Sequence, residues 1–455
     1  MTTRQTSSTT RECDVVVLGL GPGGESAATQ LAAAGLDVVA IDERLVGGEC
    51  PYFGCIPSKM MIAAAATLRE ARSVPGFAGH ATVAPDWTPV ATRIRDEATD
   101  DWDDRVAVDR LEAAGATFVR GRGTITGPGR VQVAGTEYLA TRGIILNTGT
   151  EPSAPPIEGL AGTPYWTNRE VVRITEVPAS LIVIGGGPIG SELAQALAAF
   201  GVQVTLVEVA DRIIAVEEPE ASAVLASALV AEGIEVITGA KIERIEHAAD
   251  QFTVVLADRE LTAERLLVAA GRRNNLAGIG LEHVGLDPQA RVLEPDQRMR
   301  IGDRVWAIGD ITGKGAFTHV SMYQADVAVR DILGQDGPWA DYRAVARVTF
   351  THPEVGSVGL SEAAARKVGI DVQVATGGLG SRGWLAKDDG IIKLVADRQR
   401  GVLVGACVAG ATGGEVIGLL ATAIHAEVPI RVLAEMHFAF PTIYRAVQPV
   451  LRALT

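Results

Sequence analysis

Cys50 and Cys55 share one short glycine-rich stretch, GGECPYFGCIPSK (47–59). Thiols this close in sequence can bridge, cycle between dithiol and disulfide, or bind metal. The chain has only four cysteines in 455 residues, too few for a secreted disulfide scaffold. Redox or metal chemistry is therefore favoured over a structural staple. Pro57 stands where a helix begins, which places Cys55 near a helix N-terminus. Lys59, four residues on, falls one turn further along the same face. A helix N-terminus and a nearby ammonium both stabilise a thiolate. Cys13 and Cys407 lie among apolar residues (ECDVVVLG and LVGACVAG) and read as buried, inert thiols. No spacing of His, Cys and acidic residues resembles a metal site.

A second chemistry-bearing pattern occurs twice. Gly19, Gly21 and Gly24 form G-x-G-x-x-G, and Gly185, Gly187 and Gly190 repeat it. The first glycine allows a tight turn, the second lets backbone approach a pyrophosphate, and the third lets a helix pack close to a strand. The helix N-terminus that follows offers free N–H groups and partial positive charge to phosphate. Asp42 and Glu208 each stand 23 residues past their first glycine, where an acid accepts ribose hydroxyls. Glu208 favours NAD(H) over NADP(H), because a carboxylate repels a 2′-phosphate; Arg212, four residues on, moderates that preference. A further strand-end acid, Asp310 in RVWAIGDITGKG (304–315), reads as a ribityl or pyrophosphate contact.

The elements that position these residues follow from patterning. Residues 14–42 and 181–208 each read strand, glycine turn, Ala/Leu-rich helix, glycine stop (Gly35, Gly201) and second strand. Their opening strands are continuous apolar runs, as in a parallel sheet buried on both faces. This predicts an α/β chain with two Rossmann-like dinucleotide-binding domains and a C-terminal α+β domain. The Pro-rich stretch 151–164 and GRRNN (271–275) mark the junctions. The expected division is a polar, disordered tail (1–10), a split first domain (11–153 and 274–337), an inserted second domain (154–273) and a third domain (343–455). Residues 85–112 read as a charged helical excursion with little functional content.

With these motifs in place, the cysteine segment resembles the redox-active disulfide motif of the class I pyridine nucleotide–disulfide oxidoreductases. That family includes dihydrolipoamide dehydrogenase, glutathione reductase and mercuric reductase. The resemblance extends over nearly the whole chain, through NTGTEP (147–152), AAGRRNN (269–275), WAIGD (306–310), FTHPEVGSVGLSE (350–362) and IIKLVADRQRGVLVGACVAG (391–410). It implies FAD on the first unit, with Gly48, Lys59, Thr148, Gly149, Asp310 and His319 among its neighbours, and NAD(P)H on the second, with Gly271 beside it. It implies that hydride passes from nicotinamide to flavin and electrons then reach the Cys50–Cys55 disulfide. Cys55 would be the thiol nearest the flavin, Cys50 the interchange thiol, and Lys59 would pair with Glu192. A C-terminal domain of this kind implies a two-fold homodimer.

The chain departs from the family at its end. The family carries His-Pro-Thr-x-x-Glu, whose His is the acid/base for the interchange thiol. Here the sequence is HFAFPTIYRAV (437–447): Phe440 replaces the His and Arg445 the Glu. Phenylalanine moves no proton, so a general acid/base contribution of about 10²–10⁴ in rate is missing at that position. His437 and Tyr444 are the nearest proton-carrying substitutes, though either also reads as packing. Mercuric reductases can carry Phe here, but their C-terminal cysteine pair is absent. Glu49 and Pro51-Tyr52-Phe53 also differ from the family's usual residues, and a carboxylate directly before Cys50 disfavours its thiolate. The expected activity is an oxidoreductase reducing an unidentified small acceptor through the pair. The alternatives are a flavin or quinone reductase with a silent pair, or a non-catalytic flavoprotein.

Composition narrows the partners. A net charge of −14 opposes binding to nucleic acid or anionic membrane. No apolar run reaches the roughly 18 residues that a membrane helix needs, and the polar N-terminus lacks a signal core. A cytoplasmic protein is expected.

Overall fold

The structure, a computed structural model, describes residues 9–455. Two compact units emerge. The first comprises residues 9–57, 95–152 and 272–341; the second comprises 58–94, 153–271 and 342–455.

The first unit is built on strand β1 (Thr9–Leu18), helix α1 (Pro22–Ala33) and strand β2 (Val38–Asp42). β1 lies between β2 and strand Thr136–Leu146, parallel to both, in register Val15↔Val38 and Val16↔Ile144. Strands Val305–Ala307 and Thr117–Arg120 extend the parallel sheet at its two sides. Val15, Val16 and Val17 have no exposed surface, as their unbroken apolar run demands when both sheet faces are covered. Thr9 and Thr10, expected in the tail, instead pair with Thr136 and Glu137 at the start of β1. The rest of the expected tail lies outside the described residues.

The second unit repeats the logic. Strand Ser180–Ile184 is parallel to Gln203–Val207 and Arg265–Val268, with helix Pro188–Ala199 as the crossover. A three-stranded antiparallel sheet (Ile242–Ala248, Gln251–Leu256, Glu260–Ala263) packs on it around Leu160 and Phe252. The C-terminal part is a five-stranded antiparallel sheet whose apolar face buries Leu394 and Val408 against helices such as Gly413–His425.

Residues 58–94 group with the second unit, although the sequence places them in the first domain. Helix α3 (Cys55–Ser73) and the chain after it are pinned there by side chains: Arg72 donates to Ala199 O (2.7 Å) and Trp87 Nε1 to Ile174 O (3.0 Å). The inserted and C-terminal segments, expected as separate domains, also group together. Arg347 bonds Glu217 at 2.7 Å, and Lys393 is only 4% exposed among Glu218, Glu220 and Glu362, all within 3.0 Å. Burial pulls the Lys393 ammonium down, but the three carboxylates outweigh it and hold the group above the ordinary lysine range.

Candidate active site

In the first unit, Gly19 turns the chain out of β1 at φ +91°, and a Cβ there would lie 2.3 Å from Asn147 O. Gly24 packs as closely, with its virtual Cβ 2.0 Å from Gly19 O. Helix α1 starts after Gly21 with Pro22, which has no N–H, and its N-cap residue supplies no side-chain bond; with Gly24 N taken by Asn147, the Gly23 amide is the one this turn offers to a phosphate. Gly48 (φ +67°) backs against this turn: a Cβ on it would sit 2.9 Å from Gly21 Cα. Asp42 accepts from Leu20 N and Arg44 N, both at 2.7 Å. Burial raises its carboxyl above the usual range and the two amides draw it partly back.

Asn147 is a residue that sequence reading missed. Its Oδ1 accepts from Gly24 N (2.8 Å), and its Nδ2 donates to Ile308 O (3.0 Å) and Ser321 Oγ (3.3 Å). It ties the turn to segments more than a hundred residues away, and no local pattern announces that role. Next to it, Thr148 Oγ1 is buried without a hydrogen-bond partner, and Gly149 turns at φ +63°. An orphaned buried hydroxyl beside a glycine cradle suits a bound polar ligand, so these residues fit a flavin dinucleotide. Asp310 accepts from Thr150 Oγ1 at 2.6 Å. Arg272 donates to Thr150 Oγ1 (2.8 Å) and stands 3.3 Å from Glu49 Oε2. The carboxylate preceding Cys50 is therefore faced by a guanidinium, which offsets its effect on the thiol.

Cys50 sits in a one-turn helix, α2 (Glu49–Tyr52), and Cys55 opens α3. Cys55 is exposed, and its Sγ lies 3.5 Å from Thr318 Oγ1 at the start of helix Thr318–Ile332. His319, next in line, is exposed and stacks on Phe317 at 5.3 Å. Cys13 and Cys407 are buried, and burial pushes both thiols up to about 12, which makes them poor nucleophiles at neutral pH.

In the second unit, Gly185 (φ +108°) and Gly190 occupy the equivalent turn, with virtual Cβ atoms 2.5 Å from Ala269 O and 1.9 Å from Gly185 O. Glu208 accepts from Gly186 N (2.6 Å) and Ala210 N (2.8 Å). Gly187 meets no atom within 4 Å of its virtual Cβ, which leaves open room for a pyrophosphate. Arg212 donates to Ala215 O (2.7 Å) and Glu217 O (3.3 Å). Gly271 turns at φ +136°, and its carbonyl accepts from Ser153 N. On the fingerprint helix, Glu192 Oε2 pairs with Lys59 Nζ at 2.7 Å, and its Oε1 accepts from Phe350 N at 2.8 Å. The Lys59 ammonium also lies 4.6 Å from the Phe350 ring centre.

The C-terminal loop presents Phe440 at 72% exposure. Tyr444 OH accepts from Ala439 N (2.7 Å), and its ring packs on Phe438, so this side chain braces the loop. His437 is exposed on the same loop. Among the described residues, no cluster of His, Cys and acids could hold a metal ion, and no helix is long and apolar enough to cross a membrane.

Residues 13–330 match the pyridine nucleotide-disulphide oxidoreductase family, and residues 345–450 match that family's dimerisation domain. The dihydrolipoyl dehydrogenase of Chlamydia muridarum is 32% identical over 444 residues, covering 94% of both chains. The mercuric reductase of Streptomyces lividans is 31% identical, covering 97% of this chain and 96% of its own. Among solved structures, the HOCl-induced flavoprotein disulfide reductase RclA from Escherichia coli aligns with a TM-score of 0.85 at 26% identity, over 97% of this chain and all of that one. A Cu(II) complex of the same protein aligns with a TM-score of 0.85. LpdA from Mycobacterium tuberculosis aligns at 0.86 with 25% identity, over 98% of this chain and all of that one.

Proposed function

We propose, from the premise that this chain belongs to the pyridine nucleotide-disulphide oxidoreductase family and is thus a flavoprotein oxidoreductase, that it passes electrons from NADH through FAD and the Cys50–Cys55 pair to a small acceptor. The observation that carries the reading is the Lys59–Glu192 ion pair. It joins the helix that Cys55 opens to the helix that follows the second fingerprint, and its carboxylate is fixed at both oxygens. Bound FAD supplies two-electron chemistry, accepting hydride and passing electrons onward. The residues do the rest. Lys59 holds positive charge near the start of α3, Asp42 and Glu208 orient ribose hydroxyls, and the glycine turns admit pyrophosphate.

NADH is preferred over NADPH in this reading. Glu208 would repel a 2′-phosphate, and two of the Arg212 guanidinium contacts are to backbone carbonyls. The chain works as a cytoplasmic homodimer through residues 343–455, and light scattering of the purified protein should give one species of twice the 47.6 kDa chain.

Phe440 shapes the acceptor. Without an acid/base at that position, a disulfide substrate that needs its leaving thiolate protonated turns over slowly, by about 10²–10⁴. Reducible metal ions such as Cu(II) or Hg(II) take up no proton, and a quinone takes its two from solvent with no leaving thiolate to protonate. The same residue favours a second reading, in which electrons leave directly from the flavin and the cysteines stay silent. The test is an acceptor panel of lipoamide, oxidised glutathione, a quinone, Cu(II) and Hg(II), run with NADH on the wild type and on Cys50→Ser. Loss of turnover in C50S supports the relay; full retention selects the second reading. If NADH fails to bleach the flavin of the wild type, both are wrong.

A further inference from the structure

We infer that residues Thr99–Asp104, in the charged excursion between the two cysteine-bearing helices and strand Thr117–Arg120, form a buttress that sets the reactive geometry of the Cys50 loop. Trp102 and Asp104 are its positioning residues. The inference rests on the reading that this loop carries the redox chemistry.

Asp100, Asp101 and Trp102 take left-handed backbone conformations in succession, at φ 49°, 54° and 58°. Asp tolerates that region through local hydrogen bonding; Trp has no such help, and consecutive non-glycine residues there are strained. Such strain persists only where surrounding contacts over-determine it, and it gathers at functional segments. The contacts are visible. Asp101 N bonds Arg95 O (2.7 Å), Asp103 N bonds Asp100 O (3.0 Å), and Trp102 N bonds Thr99 Oγ1 (3.4 Å). The buried Thr99 bonds back to Arg95 O.

What the strained turn presents is two grips on the cysteine loop. Trp102 Nε1 donates to Tyr52 O at 3.0 Å, satisfying a carbonyl at the end of α2, the one-turn helix that holds Cys50. Asp104 Oδ2 accepts from Val46 N at 2.6 Å, just before the Gly47-Gly48 turn that starts this helix. Arg120 bonds the same oxygen at 2.6 Å and holds Asp104 in place. Residues 46 and 52 bracket Cys50, so both ends of its segment are fixed from one side by one strained turn. The Tyr52 ring is buried beside Asp104; burial and then that carboxylate push its phenol up to about 12, so it stays neutral.

The test uses the full-length FAD-loaded protein and three variants. Trp102→Phe keeps an aromatic side chain, though a smaller one, and loses the indole N–H. Asp101→Val disfavours the left-handed turn through its β-branched side chain, whereas Asp101→Gly accommodates it. After reduction with dithiothreitol, Cys50 is alkylated with iodoacetamide over about pH 6 to 9 and quantified by peptide mass. One neutral hydrogen bond corresponds to roughly a fivefold change. W102F and D101V are expected to alter the Cys50 alkylation rate about fivefold and displace its pH profile, while D101G stays within twofold of wild type. The rate of flavin bleaching by NADH serves as the control and should hold in all three, while melting temperatures of W102F and D101V should fall by only about 2–4 °C, as local losses of this size imply. Rates within twofold of wild type in both W102F and D101V overturn the buttress. A second arm reduces the oxidised wild type with NADH and counts thiols: the nicotinamide gives up a hydride, and with one proton from solvent the Cys50–Cys55 disulfide becomes two thiols. Altered alkylation in the variants with no thiols formed from NADH in the wild type supports the buttress and refutes the relay, so the two failures are told apart.

Discussion

The two glycine cradles start from one local design and end with different surroundings. In both, the residue after the first glycine donates its amide to the strand-end acid: Leu20 to Asp42 at 2.7 Å and Gly186 to Glu208 at 2.6 Å. The first is then enclosed. Asn147 fills the turn from behind, Gly48 backs onto Gly21, and Gly23 abuts Ser321, whose Oγ lies 2.2 Å from a virtual Cβ. The second stays open: Gly187 has nothing within 4 Å, and Ile189, at the place of Gly23, is exposed. A closed cradle suits a resident group and an open one suits a cosubstrate that must leave each cycle. The identical motif thus says what class of ligand binds, while the packing around it says for how long.

The largest expected effect comes from the paired variants Gly19→Ala and Gly185→Ala. Each places a methyl at positive φ within 2.5 Å of backbone oxygen, so the local insult is matched. G19A should purify largely without flavin, read from its visible absorbance. G185A should stay yellow but be reduced by NADH at least about 10²-fold more slowly. A yellow G19A or a colourless G185A breaks the comparison. Next is Asn147→Ala, which strands the Gly24 amide and Ile308 carbonyl. It should cost about 2–4 kcal/mol in denaturant titrations of flavin-free protein, with little change in the NADH Kd. Equal damage to both would show that the enclosure is not specific to the first cradle. Glu208→Gln comes third: the NADH-to-NADPH ratio of kcat/KM should fall about tenfold, or 1.4 kcal/mol, with flavin content unchanged.

The smallest effect is a pH dependence. Burial, countered by the Leu20 and Arg44 amides, leaves Asp42 with a carboxyl above the ordinary value of about 4. The carboxylate accepts a ribose hydroxyl more strongly than the neutral acid does, so flavin binding releases a proton below the raised value. Flavin affinity should be flat above it and fall as pH drops through it; Asp42→Asn should remove that slope. In flavin-free protein the sign reverses: stability from protonated Asp42 is full below about pH 4 and is lost as pH rises through the raised value. Flavin fluorescence on dialysis at stepped pH measures the first, and denaturant midpoints measure the second.

Much of this was legible in the sequence. The turns, their acids and the helix at Cys55 are local: a glycine's φ and a strand's apolar run are dictated within a few residues. The Lys59–Glu192 pair came from the family resemblance, and no spacing in the chain announces it. Asn147, Arg272 and Trp102 were missed because their partners lie 123, 122 and 50 residues away in the chain. Contacts of that kind leave no periodicity. The excursion at 85–112 read as featureless because three left-handed residues in a row have no compositional signature. The grouping of 58–94 with the second unit rests on Arg72 and Trp87, which look like ordinary surface and core residues in isolation.

Lys393 carries a consequence for anyone recombining these modules. Its three carboxylate neighbours come from two places, Glu218 and Glu220 ahead of the C-terminal part and Glu362 within it. A graft that swaps the nicotinamide-binding segment to change cosubstrate, but ends before position 217, keeps all of these charges matched. One that runs on through 220 into a foreign sequence removes two anions and leaves an ammonium sealed in the interior with a single counter-charge. Chimeras should therefore tolerate a crossover on one side of that short stretch and fail to fold on the other.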